Sequence, residues 1–176
     1  GVILEYGTAA SAKSPRLRIP AVTSSGKIRA EKCVLGVIGA GNFARTVLLP
    51  KLRKMDKVEL HTLGTQRGIS ANYAKEKFGF RHADTSEAAV FNNSDINAVL
   101  IATPHSNHAS LTAGALDAGK NVLVEKPLAL DRTQLNTVIR ARQESDAFFS
   151  VGFNRRFAPL AKQTRDRLAQ AGGTKY

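Results

Sequence analysis

The chain has 176 residues, of which 43% are hydrophobic and 23% are charged, and this composition fits one medium globular domain with room for a second short piece. Its single cysteine excludes a disulfide framework within the chain, so we expect a reducing, cytoplasmic location. No apolar run is as long as a membrane span, and no signal peptide is visible, because Val2-Ile3-Leu4 is too short for its apolar region.

The net charge of +12 favours an anionic partner, and two kinds of partner fit it. Nucleic acid is the first, but the basic residues are scattered along the chain. The aromatic side chains that stack best on bases are also scarce, with three Tyr and no Trp. A dinucleotide is an anion too. The charge is compatible with both, and we consider nucleic acid the less favoured partner.

Residues 1–32 differ from the rest of the chain. The stretch from Thr8 to Gly26 is rich in Ala, Ser, Lys and Pro and has no hydrophobic periodicity, which is typical of a linker. We expect residues 1–32 to form an N-terminal arm or interdomain linker. The chain begins at Gly1 rather than Met, which suggests a processed, tagged or excised fragment.

Short apolar segments alternate with helical patterns along residues 33–153. The predicted strands are residues 34–38, 58–63, 98–102, 121–124 and 148–152. The predicted helices are residues 42–54, 70–78, 86–91 and 107–118, and one that ends near Glu144, for which Asp131 and Gln134 form an N-terminal capping box. Such alternation predicts the α/β class, a doubly wound and mostly parallel sheet with helices on both faces.

Individual residues predict where two of these helices bend or begin. Pro50 should bend the first helix or remove one of its hydrogen bonds, and Asp84 or Thr85 offers an N-cap to the helix over residues 86–91.

After residue 153 the pattern of alternating strands and helices changes. We expect residues 154–176 to be a linking helix that either docks on the sheet domain or begins a truncated substrate domain.

The turn after the first strand reads as a phosphate cradle. Gly39 permits a tight turn, Gly41 lets a pyrophosphate approach the backbone, and Ala44 is a small residue in the third position of the glycine motif. Asn42 and Phe43 begin the helix whose free N–H groups face the phosphates. A plain strand-to-helix turn is the alternative for the motif alone. Its place in the first strand–helix turn of a doubly wound sheet favours dinucleotide binding.

Ligands of such sheets bind beyond the carboxyl ends of the strands, where residues 39–44, 64–68, 103–108 and 125–127 should converge on one dinucleotide. The turn after the second strand bears on the choice of cofactor. It carries no Asp or Glu for a ribose 2′-hydroxyl, whereas Thr65 and Arg67 could bind a 2′-phosphate. We therefore favour NADP. Binding of NAD through Thr65 or Gln66 stays open, as does an exposed Arg67 without a ligand.

Lys126 is the candidate for a group near the chemistry. It follows a buried strand, and Pro127 stiffens the backbone behind it. Its cation could orient a substrate oxygen and stabilise developing negative charge, while Glu125 positions it or contacts the nicotinamide ribose. A surface lysine is the alternative. His105 and His108 could suggest a metal, but the sequence near them offers no Cys or carboxylate, and we expect none.

Four stretches together resemble one family, the glucose–fructose oxidoreductase / inositol dehydrogenase (Gfo/Idh/MocA) family. They are Val37-Ile38-Gly39-Ala40-Gly41-Asn42-Phe43-Ala44, Thr103-Pro104-His105-Ser106-Asn107-His108, Glu125-Lys126-Pro127-Leu128 and Gly152-Phe153-Asn154-Arg155-Arg156-Phe157. The resemblance covers roughly residues 33–173.

The resemblance implies an N-terminal NAD(P)-binding Rossmann domain, at residues 33–153, and hydride transfer to or from a sugar or polyol carbon. It implies that Lys126 lies beside the nicotinamide and the substrate. Residues that line the nicotinamide half of the groove would be Thr103, Pro104, Asn107 and His108. Asn154 and Arg155 would lie at the junction with a second domain.

In this family a second domain supplies the catalytic Asp and His, most of the substrate pocket and the oligomer interface. This chain ends where that domain should begin, so we expect it to bind cofactor and to turn over slowly or not at all. The full-length protein is expected to be a homo-oligomer. A dinucleotide-sensing regulator without catalysis is the alternative function, and the intact Lys126 favours the enzyme.

Overall fold

The computed structural model describes residues 32–65 and 68–170. Three of the expectations above concern residues outside these ranges: the N-terminal arm apart from Lys32, the roles of Gln66 and Arg67, and residues 171–176 of the linking helix.

Six strands form one sheet in the order β3-β2-β1-β4-β5-β6, and every neighbouring pair is parallel. The strands are β1 Cys33–Ile38, β2 Val58–Gly64, β3 His82–Asp84, β4 Ala98–Ile101, β5 Asn121–Val124 and β6 Phe149–Val151. This is the strand order of a doubly wound Rossmann sheet, in which the order reverses between β1 and β4. The predicted fold class is confirmed.

Helical segments connect the strands. They are a π-helical turn Ala44–Leu48, α1 Leu49–Leu52, α2 Gly68–Phe78, α3 Ala88–Phe91, a 3₁₀ turn His105–Asn107, α4 His108–Asp117, α5 Arg132–Gln143, a 3₁₀ turn Asn154–Phe157 and α6 Pro159–Gln170. Helices cover both faces of the sheet, because strands buried on both sides need a layer on each.

Two apolar cores lie on opposite faces of the sheet. One packs Val99, Ile101 and Val122 against residues of α3, α4 and α5. The other packs Leu35 and Val37 against residues of α1 and α2. Both cores use alternate residues of the central strands, which explains why β4 reads as a continuous apolar run in the sequence.

The short edge strand β3 was missing from the prediction. His82–Asp84 has three residues, two of them exposed, so it lacks both the length and the apolar alternation of a strand signal. It forms by pairing with Thr62–Gly64 of β2. Only the neighbouring strand makes this segment extended.

The first helix is irregular before Pro50, as the sequence indicated. Residues Ala44–Leu48 form a π-helical turn, and the N–H of Leu49 donates to the carbonyl of Ala44. Pro50 lies in the first turn of α1, which follows the π-helical turn directly, and its missing N–H leaves a carbonyl of that turn without a helical donor. The extra residue of the π turn lets the chain accommodate the proline ring.

The two predicted N-caps had different outcomes. Asp131 caps α5 by accepting a hydrogen bond of 2.8 Å from the N–H of Gln134, as predicted. At α3 the prediction was wrong. Asp84 accepts from the N–H of Ser86 instead, and it is the Ser86 hydroxyl that accepts from the N–H of Ala88. Two successive side-chain bonds to the backbone therefore precede the helix in place of one N-cap, and α3 begins at Ala88 rather than at Ser86.

Helix α6 does not dock on the sheet, because every residue from Pro159 to Gln170 is exposed. Leu160 is 76% exposed and Leu168 59%. Within the part of the chain that the structure describes, no helix is long and apolar enough to cross a membrane.

Candidate functional site

A groove of about 920 Å³ runs along the carboxyl ends of the strands. It crosses the point between β1 and β4 where the strand order reverses, which is where ligands of open parallel sheets bind. Turns that follow β1, β2, β4 and β5 meet here. The predicted site residues along the groove are Gly39, Gly41, Asn42, Phe43, Thr65, Thr103, Pro104, His105, Asn107, His108, Glu125, Lys126, Asn154 and Arg155.

The floor of the groove is the glycine turn after β1. Gly39 has a φ of +93°, and a Cβ on it would lie 2.5 Å from the carbonyl oxygen of Ala102. Neither the backbone angle nor the space suits another residue. Gly41 is exposed, and the N–H of Arg45 donates to its carbonyl in the first turn of the helix. Earlier N–H groups of that turn have no intrahelical acceptor and are available to an anion.

The turn after β2 reaches the groove through Thr65. Its N–H donates to the carbonyl of Asp84 at 3.0 Å, which ties the end of β2 to the end of the edge strand β3. This bond anchors the half-buried Thr65 backbone at the groove wall.

His108 ties the turn after β4 to the turn after β5. Its side chain is only 1% exposed. Nδ1 lies 2.7 Å from the carbonyl oxygen of Pro127, and Nε2 lies 2.9 Å from that of Thr103. Pro127 itself does not line the groove; its carbonyl lies behind the wall as a partner for His108. The imidazole therefore fixes the separation of two turns that both contribute to the groove.

Lys126 and Glu125 follow β5 directly. The N–H of Glu125 donates to the carbonyl of Ile101 at 2.9 Å, so the backbone at this point is held by the neighbouring strand β4. Glu125 is half-buried and Lys126 is exposed, and both line the groove. A flexible cation on a fixed backbone can reach a ligand in the groove.

The described groove lining carries cations at Arg45, Lys126 and Arg155 and carboxylates at Glu87 and Glu125. Charges of both signs can orient a ligand that has both phosphate and hydroxyl groups.

Several residues of the groove lining are not among the residues that the sequence predicts. They include Arg45, Thr85, Glu87, Ser110 and Leu111. Arg45 could have been predicted to line the groove, since it directly follows the small residue Ala44 of the glycine motif. Thr85 and Glu87 follow β3, and without that strand their approach to the groove could not be foreseen.

His105 in the 3₁₀ turn and His108 at the start of α4 are neighbours in space. Their rings lie edge to face with centroids 5.6 Å apart. Among the described residues there is no group of three or more His, Cys, Asp or Glu side chains that could hold a metal ion.

The model of the Gfo/Idh/MocA family, described as an oxidoreductase family with an NAD-binding Rossmann fold, matches residues 33–153. The chain belongs to this family. The predicted family is thereby confirmed, and the chain contains an NAD-binding oxidoreductase domain.

Gfo/Idh/MocA relatives share this part of the chain at moderate identity. The 4-carboxy-2-hydroxymuconate-6-semialdehyde dehydrogenase of a Sphingobium species is 31% identical over 76% of this chain and 42% of its own. The myo-inositol 2-dehydrogenase of Thermotoga maritima is 29% identical over 76% of this chain and 40% of its own. The chain thus spans about two fifths of the length of these relatives.

Solved structures agree with this assignment. KijD10, a 3-ketoreductase from Actinomadura kijaniata solved in complex with TDP-benzene and NADP, has a TM-score of 0.72 and 29% identity. The match covers 79% of this chain and 44% of that chain.

Proposed function

We propose that the groove binds NADP, and NAD less tightly, as the cofactor half of an oxidoreductase that acts on a hydroxyl-bearing carbon of a sugar or polyol. The observation that carries this proposal is the glycine turn at the floor of a groove that crosses the strand reversal. Relatives named as inositol dehydrogenase and 3-ketoreductase support the substrate class.

The residues present fit a dinucleotide. Gly41 is exposed and lines the groove, so a pyrophosphate could approach its backbone without meeting a side chain. The residues that follow it start a helix whose N-terminal N–H groups and positive dipole end attract phosphate. Arg45 adds a full positive charge at the same helix start.

The bound nicotinamide would supply the hydride acceptor or donor. Within the chain, Lys126 is proposed to orient the substrate oxygen and to stabilise negative charge that develops on it. Glu125 is proposed to accept hydrogen bonds from the nicotinamide ribose. Thr103, Pro104, Asn107 and His108 are proposed to form the nicotinamide wall, and Asn154 and Arg155 to close its far end.

The preference for NADP rests on the turn after β2. Residues 64–68 contain no Asp or Glu, whose carboxylate would repel a 2′-phosphate, and the Thr65 hydroxyl can donate a hydrogen bond to that phosphate. Arg67 is proposed as its ion-pair partner. The structure of a relative with NADP bound is compatible with this preference.

The test is a titration of the chain with NADPH and with NADH, followed by nicotinamide fluorescence. We expect NADPH to bind more tightly, and Thr65→Asp to reverse the order because a carboxylate repels a 2′-phosphate and accepts from a 2′-hydroxyl. Lys126→Ala should retain most of the affinity, since its proposed role is at the substrate. Failure of the wild-type chain to bind either dinucleotide would refute the proposal.

The remaining proposals concern the whole protein. We propose a homo-oligomeric enzyme in the cytoplasm, with residues 33–153 as its cofactor domain and little or no turnover by these 176 residues alone. The single cysteine supports a reducing location. The alternative, a dinucleotide-sensing regulator, is not favoured, because the family and the relatives named above are oxidoreductases.

A further inference from the structure

Gly152 lies at a contact that the glycine motif does not explain. A Cβ built on it would stand 3.0 Å from Oε1, 3.2 Å from Cδ and 3.3 Å from Oε2 of Glu125. The carboxylate of Glu125 therefore lies directly over the bare Cα of Gly152. Contacts this short are tighter than a side chain normally accepts, so a Cβ on residue 152 would require the Glu125 carboxylate to shift by a few tenths of an ångström.

The backbone conformation does not explain why residue 152 is a glycine. The described glycines with positive φ are Gly39, Gly79 and Gly119, and Gly152 is not among them. Another residue could adopt the backbone angles of Gly152. What glycine provides at this position is space.

The backbones on both sides of the contact are held. The N–H of Gly152 donates to the carbonyl of Val124 at 2.7 Å, directly after the last paired residue of β6. The N–H of Glu125 donates to Ile101. Since neither backbone can move without breaking a bond between strands, a larger residue 152 would displace the side chain of Glu125.

The carboxylate that would move lies in the groove. Glu125 is half-buried and lines the groove next to Lys126. Among the described residues its carboxylate has no ion-pair or hydrogen-bond partner. It is therefore available to a ligand, and its position is set by the space it occupies rather than by a bond.

We propose that Gly152 is a positioning residue for the cofactor: its missing Cβ holds open the place where the Glu125 carboxylate stands and accepts hydrogen bonds from the nicotinamide ribose. This inference rests on the proposed dinucleotide function. It assigns residue 152 a role in affinity through Glu125, with no contact of its own to the ligand.

The test is a double-mutant cycle on the 176-residue chain, read as the Kd for NADPH from nicotinamide fluorescence. Gly152→Ala should weaken binding about tenfold, the loss expected when one hydrogen bond to a charged group is misplaced. Its melting temperature should stay close to wild type, because the displaced atoms are the end of a flexible side chain. In the Glu125→Ala background, which lacks those atoms, Gly152→Ala should change the Kd by a factor near one.

Gly114→Ala is the matched control. Its Cβ would also make a close contact, 3.1 Å from the ring of Phe91, but Gly114 does not line the groove. This variant should bind NADPH like the wild type. Glu125→Asp gives an independent test that leaves Gly152 unchanged, since it withdraws the carboxylate from its position, and it should weaken binding about as much as Gly152→Ala.

The outcomes separate this inference from the proposed function. A wild-type chain that binds neither dinucleotide overturns both. A wild-type chain that binds NADPH, with equal affinity in Gly152→Ala or Glu125→Asp, overturns the inference and leaves dinucleotide binding by the groove standing. The inference is also overturned if Gly152→Ala weakens NADPH binding by the same factor in the wild-type and in the Glu125→Ala background. Residue 152 would then act through the backbone and not through the Glu125 carboxylate.

Discussion

Alanine at Gly39 should destabilise the chain far more than alanine at Gly79, although both glycines have a left-handed backbone. Their φ angles are +93° and +78°. A Cβ on Gly79 would find no atom within 4 Å, whereas a Cβ on Gly39 would lie 2.5 Å from the oxygen and 2.7 Å from the carbon of the Ala102 carbonyl. The pair thus separates the cost of the backbone angle from the cost of the contact.

The expected magnitudes follow from these contacts. Gly79→Ala should lose about 1 kcal/mol of unfolding free energy, the penalty of a left-handed L-residue. In Gly39→Ala the turn must also move by roughly 1 Å to relieve the contact with Ala102. That movement strains two bonds of 2.8 Å, from Gly39 N–H to Gly64 and from Ala102 N–H to Ile38. At about 1 kcal/mol each, the total loss is about 3 kcal/mol.

Thermal unfolding and urea denaturation measure the difference. At about 2–4 °C per kcal/mol, Gly79→Ala should melt about 3 °C and Gly39→Ala about 9 °C below the wild type. NADPH binding should survive in Gly79→Ala, because Gly79 does not line the groove, and be lost in Gly39→Ala. Equal melting temperatures for the two variants would refute the steric reasoning.

Two further predictions concern buried ionisable groups. Burial lowers the pKa of His61 below its ordinary value of 6.5, so the unfolded chain binds its proton more readily. The free energy of unfolding should therefore have its full value above pH 6.5 and fall as the pH drops below it, by at most about 1.4 kcal/mol per pH unit for this one proton. In His61→Gln this pH dependence, measured by urea denaturation, should be weaker. Lys120 is 8% exposed, and its ammonium donates to the carbonyls of Asn93 at 2.7 Å and Ile96 at 2.9 Å. Lys120→Met should cost about 1–3 kcal/mol by leaving the buried carbonyl of Ile96 unpaired, while Lys162→Met on the exposed α6 should not change stability; equal effects would contradict the role of this bond.

The sequence by itself determined the elements whose signals are local. The apolar run of residues 98–101 predicted β4 because both faces of this central parallel strand are covered. The run of residues 121–124 predicted β5 as well, although Leu123 on one of its faces is 43% exposed. Asp131 and Gln134 predicted the start of α5 because an N-cap needs only residues within one turn. Alternation of strands and helices predicted the doubly wound sheet, since right-handed crossovers leave few other arrangements.

Tertiary structure alone decided what depends on residues distant in sequence. The three-residue strand β3 is extended because β2 pairs with it, and it brings Glu87 to the groove. The ring of His108 is buried between two carbonyls that belong to turns after different strands. No periodicity or spacing places Gly152 against Glu125, because that contact exists only once β5 and β6 are paired. Local patterns specify which elements form, and the pairing of strands decides which side chains share the groove.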